Sequence, residues 1–200
     1  MSSCIQDGFT LIEMLIALAI GSLLLASLYN FYIGQKKAYA IREQVSEMQQ
    51  NARAGIELMA REIRMAGYNP TRAPGVGIIA AGSQTIRITM DLNSDGDVTD
   101  ENEDITYSLY DSGSDGDVDL GRKPAGGTNQ PVAENIAHLD FVYTLANGST
   151  TTTPATPSQI RLIQVSLTAQ TAKPDPTYPI NSGRRTYTLE SVITPRNLAY

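Results

Sequence analysis

From Phe9 to Ile33 the chain runs 25 residues with a single charge, Glu13, in the apolar stretch GFTLIEMLIALAIGSLLLASLYNFYI that begins at Gly8. As a helix this run would rise about 37 Å, enough to cross a hydrocarbon core of roughly 30 Å with some tilt. A carboxylate within such a segment costs roughly 2.5–3.5 kcal/mol on insertion scales, so Glu13 should have a partner and a purpose. A secretory signal peptide fits poorly, because its apolar region is shorter and ends in a small-residue cleavage site.

The helical pattern does not end with the apolar run. From Gln35 to Ala66 the only Gly or Pro is Gly55, and Ile41, Val45, Met48, Ala52, Ile56, Met59, Ile63 and Ala66 recur at spacings of three and four. That stripe defines one helical face. Arg53 with Glu57, and Glu57 with Arg61, stand at i,i+4, where exposed pairs add about 0.2–0.5 kcal/mol each. Glu57 and Glu62 read as surface salt-bridge partners. The pattern predicts one helix from Phe9 to Ala66, stopped by Gly67 and Pro70. Its first half should meet lipid or other helices, and its striped half a domain of its own.

Beyond the stop the period changes to two. Ile86, Ile88, Met90 and Leu92 alternate with Thr85, Arg87, Thr89 and Asp91, and similar runs follow at 104–110, 136–145, 159–168 and 185–194. Five strands predict an antiparallel sheet laid over the striped helix face, an α+β architecture. The segments 121–131, 146–158 and 171–183 are expected to be surface loops.

Charge is concentrated in one place. Of the 21 acids, 11 fall between Asp91 and Asp119, a window without Lys or Arg, which leaves 10 acids against 15 bases elsewhere. Within it Asp91, Asn93, Asp95, Gly96, Asp97 and Thr99 match the first nine positions of a calcium loop, in which oxygens at alternate positions converge on a hard cation. The twelfth position is Asn102, so a bidentate acid would have to come from Glu103 or Asp104. A second loop, Asp111, Asp115, Asp117 and Asp119, repeats the Asp-Gly turn with weaker ligand content. Calcium is the cofactor these loops would take. The alternative for both is a solvated hairpin turn in which Asp-Gly serves only the backbone.

Little points to catalysis. The single histidine, His138, lies in a strand-like run, and no GxSxG, HExxH or CxxC accompanies it. The only cysteine, Cys4, lies before the apolar run. No basic run exceeds two residues, so nucleic acid is not an expected partner.

The arrangement Gly8-Phe9-Thr10-Leu11-Ile12-Glu13 resembles the class III signal of type IV prepilins. The resemblance implies a leader over residues 1–8, cut by a prepilin peptidase between Gly8 and Phe9, and N-methylation of Phe9. It also implies a membrane and filament-core helix at 9–33, its amphipathic continuation at 34–69, and a β-sheet region at 70–200. The fold would be that of the type IV pilins, with no enzymatic activity. Glu13 would be an assembly contact, paired with the terminal amine of Phe9 on an adjacent subunit. The stretch Met59 to Tyr68 and the closing Pro195-Arg196-Asn197-Leu198 are similar to PilW-type minor pilins and to J-type minor pseudopilins of type II secretion. That similarity implies a minor pilin that helps to initiate or cap a pilus, with a secretion pseudopilin as the alternative and a tethered calcium-dependent adhesin as a third reading. The implied partners are major and minor pilins or pseudopilins, the peptidase and inner-membrane lipid. The implied location is single-pass in the inner membrane with a periplasmic C-terminal domain, and then the filament.

Overall fold

A computed structural model describes residues 9–113 and 116–198. The leader, with Cys4 and Gly8, and Asp115 of the second acidic loop lie outside the described residues. Helix α1 spans Leu11–Met65 as one uninterrupted element. The chain divides into two compact units within it, one reaching Glu43 and one starting at Gln44.

In the first unit the helix is apolar and uncovered. Phe9, Leu11, Leu18 and Leu23 are 70% exposed or more, and none of the most apolar window is buried. Such a surface is unusual for a monomer in water, where exposed apolar patches mark membrane or protein contacts.

In the second unit Met48, Ala52, Ile56, Met59 and Ile63 are buried along the stripe that the sequence predicts, with Ala60 buried beside them. They form one core with residues of two antiparallel sheets. Among the described residues the first sheet is a meander of β1 (Gly77–Ala81), β2 (Thr85–Thr89), β3 (Asp104–Tyr110), β4 (Asp119–Pro124) and β5 (Gln130–Ala133). The second contains β6 (Ile136–Leu145), β7 (Thr150–Thr151), β8 (Ile160–Gln170) and β9 (Thr186–Ile193), in the order β7-β6-β8-β9. The Tyr143 hydroxyl on β6 donates to the Gly82 carbonyl at 2.8 Å, and the Phe141 amide donates to Ser83 O at 2.8 Å. The second sheet is thereby fastened to the β1–β2 turn.

The five expected strands are present as β2, β3, β6, β8 and β9, but the single expected sheet is two. Four further strands, β1, β4, β5 and β7, lie where the sequence predicts loops or nothing regular. The correction is largest at β4, inside the expected 121–131 loop. Its sequence DLGRKP does not alternate, because five of its six residues are buried for different reasons. Leu120 enters the core, Arg122 is held by an acid from the helix, and Gly121 lies beneath a tyrosine. A Cβ at Gly121 would come within 2.6 Å of the Tyr110 ring.

Gly55 has a comparable role in the helix. A Cβ there would sit 3.0 Å from Leu120 Cδ2, 3.2 Å from Ala133 Cβ and 3.3 Å from Leu167 Cδ2. Glycine at this point lets the helix approach both sheets closely, which outweighs its propensity cost of about 1 kcal/mol.

Candidate functional site

The helix begins at the residues flagged by the lone acid. The Thr10 amide and hydroxyl both donate to Glu13 Oε2, at 2.8 and 2.7 Å, and the Glu13 amide donates to Thr10 Oγ1 at 3.3 Å. This is a capping box, in which residues three apart satisfy each other's backbone donors at a helix start. Glu13 therefore has a partner within its own chain. The signal was the Thr-x-x-Glu spacing. Both contacts fall on Oε2, and Oε1 accepts no hydrogen bond among the described residues. Phe9 precedes the helix and is 85% exposed.

The other end of the helix is closed by distant sequence. Gly67 adopts φ +86°, and its amide donates to Thr89 O at 3.0 Å. The Arg196 amide donates to Arg64 O at 3.1 Å, and Met65 O accepts both the Tyr68 amide at 3.0 Å and Asn197 Nδ2 at 3.3 Å, so the Pro195–Leu198 stretch shares in closing the helix end. The two stretches that carry the subfamily resemblance thus meet in space.

Glu62 does not serve the surface. Its carboxylate accepts Arg122 Nε at 3.1 Å on both oxygens and the Tyr107 hydroxyl on Oε2, while Arg122 Nη2 donates to Asn102 Oδ1 at 2.8 Å. Burial, then the neighbouring Glu62 charge, push the Tyr107 phenol above its ordinary pKa. No sequence signal announces a pair 60 residues apart. The expected Arg53–Glu57 and Glu57–Arg61 pairs do not close into ion pairs among the described residues.

The first acidic loop joins β2 to β3. Asn93 Oδ1, Asp95 Oδ1 and Asp97 Oδ1 each accept the amide two residues on, at 3.0, 3.0 and 2.8 Å. The alternate spacing therefore builds three successive Asx turns. Asp97 also accepts the Thr99 hydroxyl at 2.8 Å. Asp91 is fully buried, with its amide on Tyr68 O and its carboxylate accepting the Thr71 hydroxyl. Asp104 is engaged by Arg87 through a two-point contact on Nε and Nη2. The carboxylates that gather are Asp95, Asp100 and Glu103, with one oxygen of each within 4.8 Å of the others. Asn93 Nδ2 bridges Asp95 Oδ2 and Asp100 Oδ2 at 2.9 and 2.6 Å. Loss of water, then the charges of Asp95, Glu103 and Asp97, raise the Asp100 carboxyl above its ordinary value. The Asp97 amide and the Asn93 side chain hold Asp95 below its own. Of the five expected ligands, Asp95 stands in this cluster and Asn93 joins it through its Nδ2 donor. Asp97 and Thr99 bond each other, and Asp91 gives one oxygen to Thr71 while the other is buried without a partner among the described residues.

In the second loop the acids are dispersed. Asp111 accepts the Gly116 amide at 3.1 Å, Asp117 pairs with Arg184 at 3.0 Å, and Asp119 accepts Ser112 and the Asn135 amide. His138 is exposed on β6, paired in register with Thr168.

Comparison with known proteins joins these features. Residues 5–29 match the prokaryotic N-terminal methylation motif, and residues 42–193 match the family described as prepilin peptidase-dependent protein B. No curated protein matches the chain. Among solved structures it is similar to the type IV-like pilin TTHA1219 from Thermus thermophilus, with TM-score 0.50 and 14% identity over 76% of this chain and 98% of that one. That likeness gives the fold, a long helix against antiparallel sheets. A methylation-type start, an apolar helix fitted to inner-membrane anchoring, a pilin fold and a family match over most of its length make this chain a type IV prepilin-like protein, a member of the prepilin peptidase-dependent protein B family.

Proposed function

We propose that the protein is a minor type IV pilin of PilW type, which helps to initiate or cap pilus assembly. Prepilin peptidase cuts between Gly8 and Phe9, Phe9 is N-methylated, and the chain waits in the inner membrane with its sheets in the periplasm until it joins other pilins. The reading is carried by the uncovered apolar helix, most of whose apolar run lies within the matched methylation motif. Lipid solvates that surface before assembly, and neighbouring helices would replace lipid in a filament. Glu13 then acts between subunits, its Oε1 meeting the amine of an adjacent Phe9 while Oε2 holds the helix start. The reaction at the leader belongs to the peptidase. This chain supplies a substrate and then a building block.

The test is a deletion strain complemented with wild-type protein or with Glu13→Ala. Surface pili and twitching should be lost on deletion, restored by the wild type and not by the variant, with exoprotein secretion intact throughout. Loss of secretion with normal pili would reject this reading in favour of a pseudopilin. Mass spectrometry of the mature protein should find N-methylated Phe9 at its start.

A further inference from the structure

The β2–β3 loop contains a feature that a solvated turn does not explain. Glu103 is 2% exposed, and its Oε1 accepts the amides of Leu92 and Asn93 at 2.7 and 3.1 Å. Its Oε2 is buried and accepts no hydrogen bond among the described residues. A buried carboxylate oxygen without a donor or cation is costly, since ionised groups are stable inside proteins only when paired. The same side chain belongs to the group formed with Asp95 and Asp100. The sequence from Asp91 to Asp119 has no Lys or Arg to answer it, and Arg87 is committed to Asp104.

We propose that this loop binds a calcium ion between the carboxylates of Asp95, Asp100 and Glu103. One oxygen of each of the three carboxylates lies within 4.8 Å of the others, close enough to share one ion. Magnesium demands near-ideal octahedral geometry and gives up its waters reluctantly, so a set of protein carboxylates suits calcium better. Oxygen-only donors exclude the metals that favour thiolate or imidazole. The site is offset from the ligand set that sequence spacing suggests, since Asp97 and Thr99 bond each other and Asp91 gives one oxygen to Thr71, although the other Asp91 oxygen, like that of Glu103, is buried without a partner among the described residues. Glu103 provides the acid that position twelve lacks. Bound calcium would lock the loop whose first residue, Asp91, is joined to Tyr68 and Thr71 just beyond the helix.

The experiment is thermal melting of the full chain in detergent micelles with calcium raised to about 5 mM, the range of weak extracellular sites. Expected is a rise in Tm of roughly 3–6 °C. Magnesium at the same concentration should give clearly less, and the variant carrying Asp95→Asn and Asp100→Asn should fold and give no calcium-dependent rise. Both of those residues are exposed, so the variant keeps its core. No rise in the wild type, an equal rise with magnesium, or a rise that survives in the double variant would each overturn the proposal. The measurement does not involve assembly, so its failure leaves the proposed function standing.

Discussion

Gly67 is the residue at which helix, sheet and the distal segment converge. A side chain there would adopt a left-handed conformation, and its Cβ would lie 2.8 Å from the Asn197 carbonyl oxygen. Because the obstacle is backbone, no rotamer change relieves it. Gly67→Ala should therefore cost at least the roughly 1–2 kcal/mol of the left-handed conformation and displace the 195–198 segment, visible as a lower Tm and faster proteolysis at that segment. Asp175 offers a test of a different kind. Hydrogen bonds from the Thr177 hydroxyl, from Arg185 and from the Thr177 amide hold its carboxyl down at about 2. A depressed folded-state pKa means stability that is present above the unfolded value, near 3.9 for aspartate, and lost as pH falls toward 2. The Tm difference between wild type and Asp175→Asn should thus be flat from pH 8 to 5 and shrink between pH 4 and 2. A difference that stays constant down to pH 2 would contradict this assignment. The segment 171–183, read from sequence as a plain loop, is pinned by this residue and by Arg185, whose guanidinium lies 4.8 Å from the centre of the Tyr178 ring.

Helix and sheet are joined by the ion pair of Glu62 with Arg122, side chains 17% and 10% exposed. Removing one partner of a fully buried pair costs about 3–5 kcal/mol, and partial exposure here places Glu62→Leu or Arg122→Met nearer 2–3 kcal/mol. The double variant should recover more than about 1 kcal/mol of the summed losses, measured by denaturant unfolding in a double-mutant cycle. Additive losses would mean that the pair is not coupled. This pair also explains what sequence could and could not reveal. α1, β3 and β6 were legible because burial on one face imposes period 3.6 or 2 on the side chains. β4 was not, because a glycine under Tyr110 and an arginine under Glu62 hide its burial from any apolar pattern. The acidic loop was half legible: spacing marked Asp91, Asn93, Asp95, Asp97 and Thr99 as convergent and the gap at position twelve pointed to Glu103 or Asp104, but the same spacing serves Asx turns, and only tertiary placement brings Asp100 to the group.

Among the described residues the buried core begins at Met48. The segment from Gln44 should accordingly be soluble, monomeric and cooperatively melting, whereas the full chain requires detergent or lipid; size-exclusion chromatography and circular dichroism of the two would check this. Failure of the 44–200 segment to fold would mean that the apolar half contributes to domain stability as well as to anchoring. The closure of α1 by Asn197 bears on how the protein comes into being. Met65 O takes the Tyr68 amide within the turn, but the Asn197 contact spans 132 residues and Arg64 O takes the Arg196 amide, so the helix is synthesised long before its end is fully closed. Until then Gly67 has no distal segment packed against it, and the domain has no finished state. Arrival of the 195–198 segment, not completion of the helix, is the moment at which a subunit becomes fit to be used.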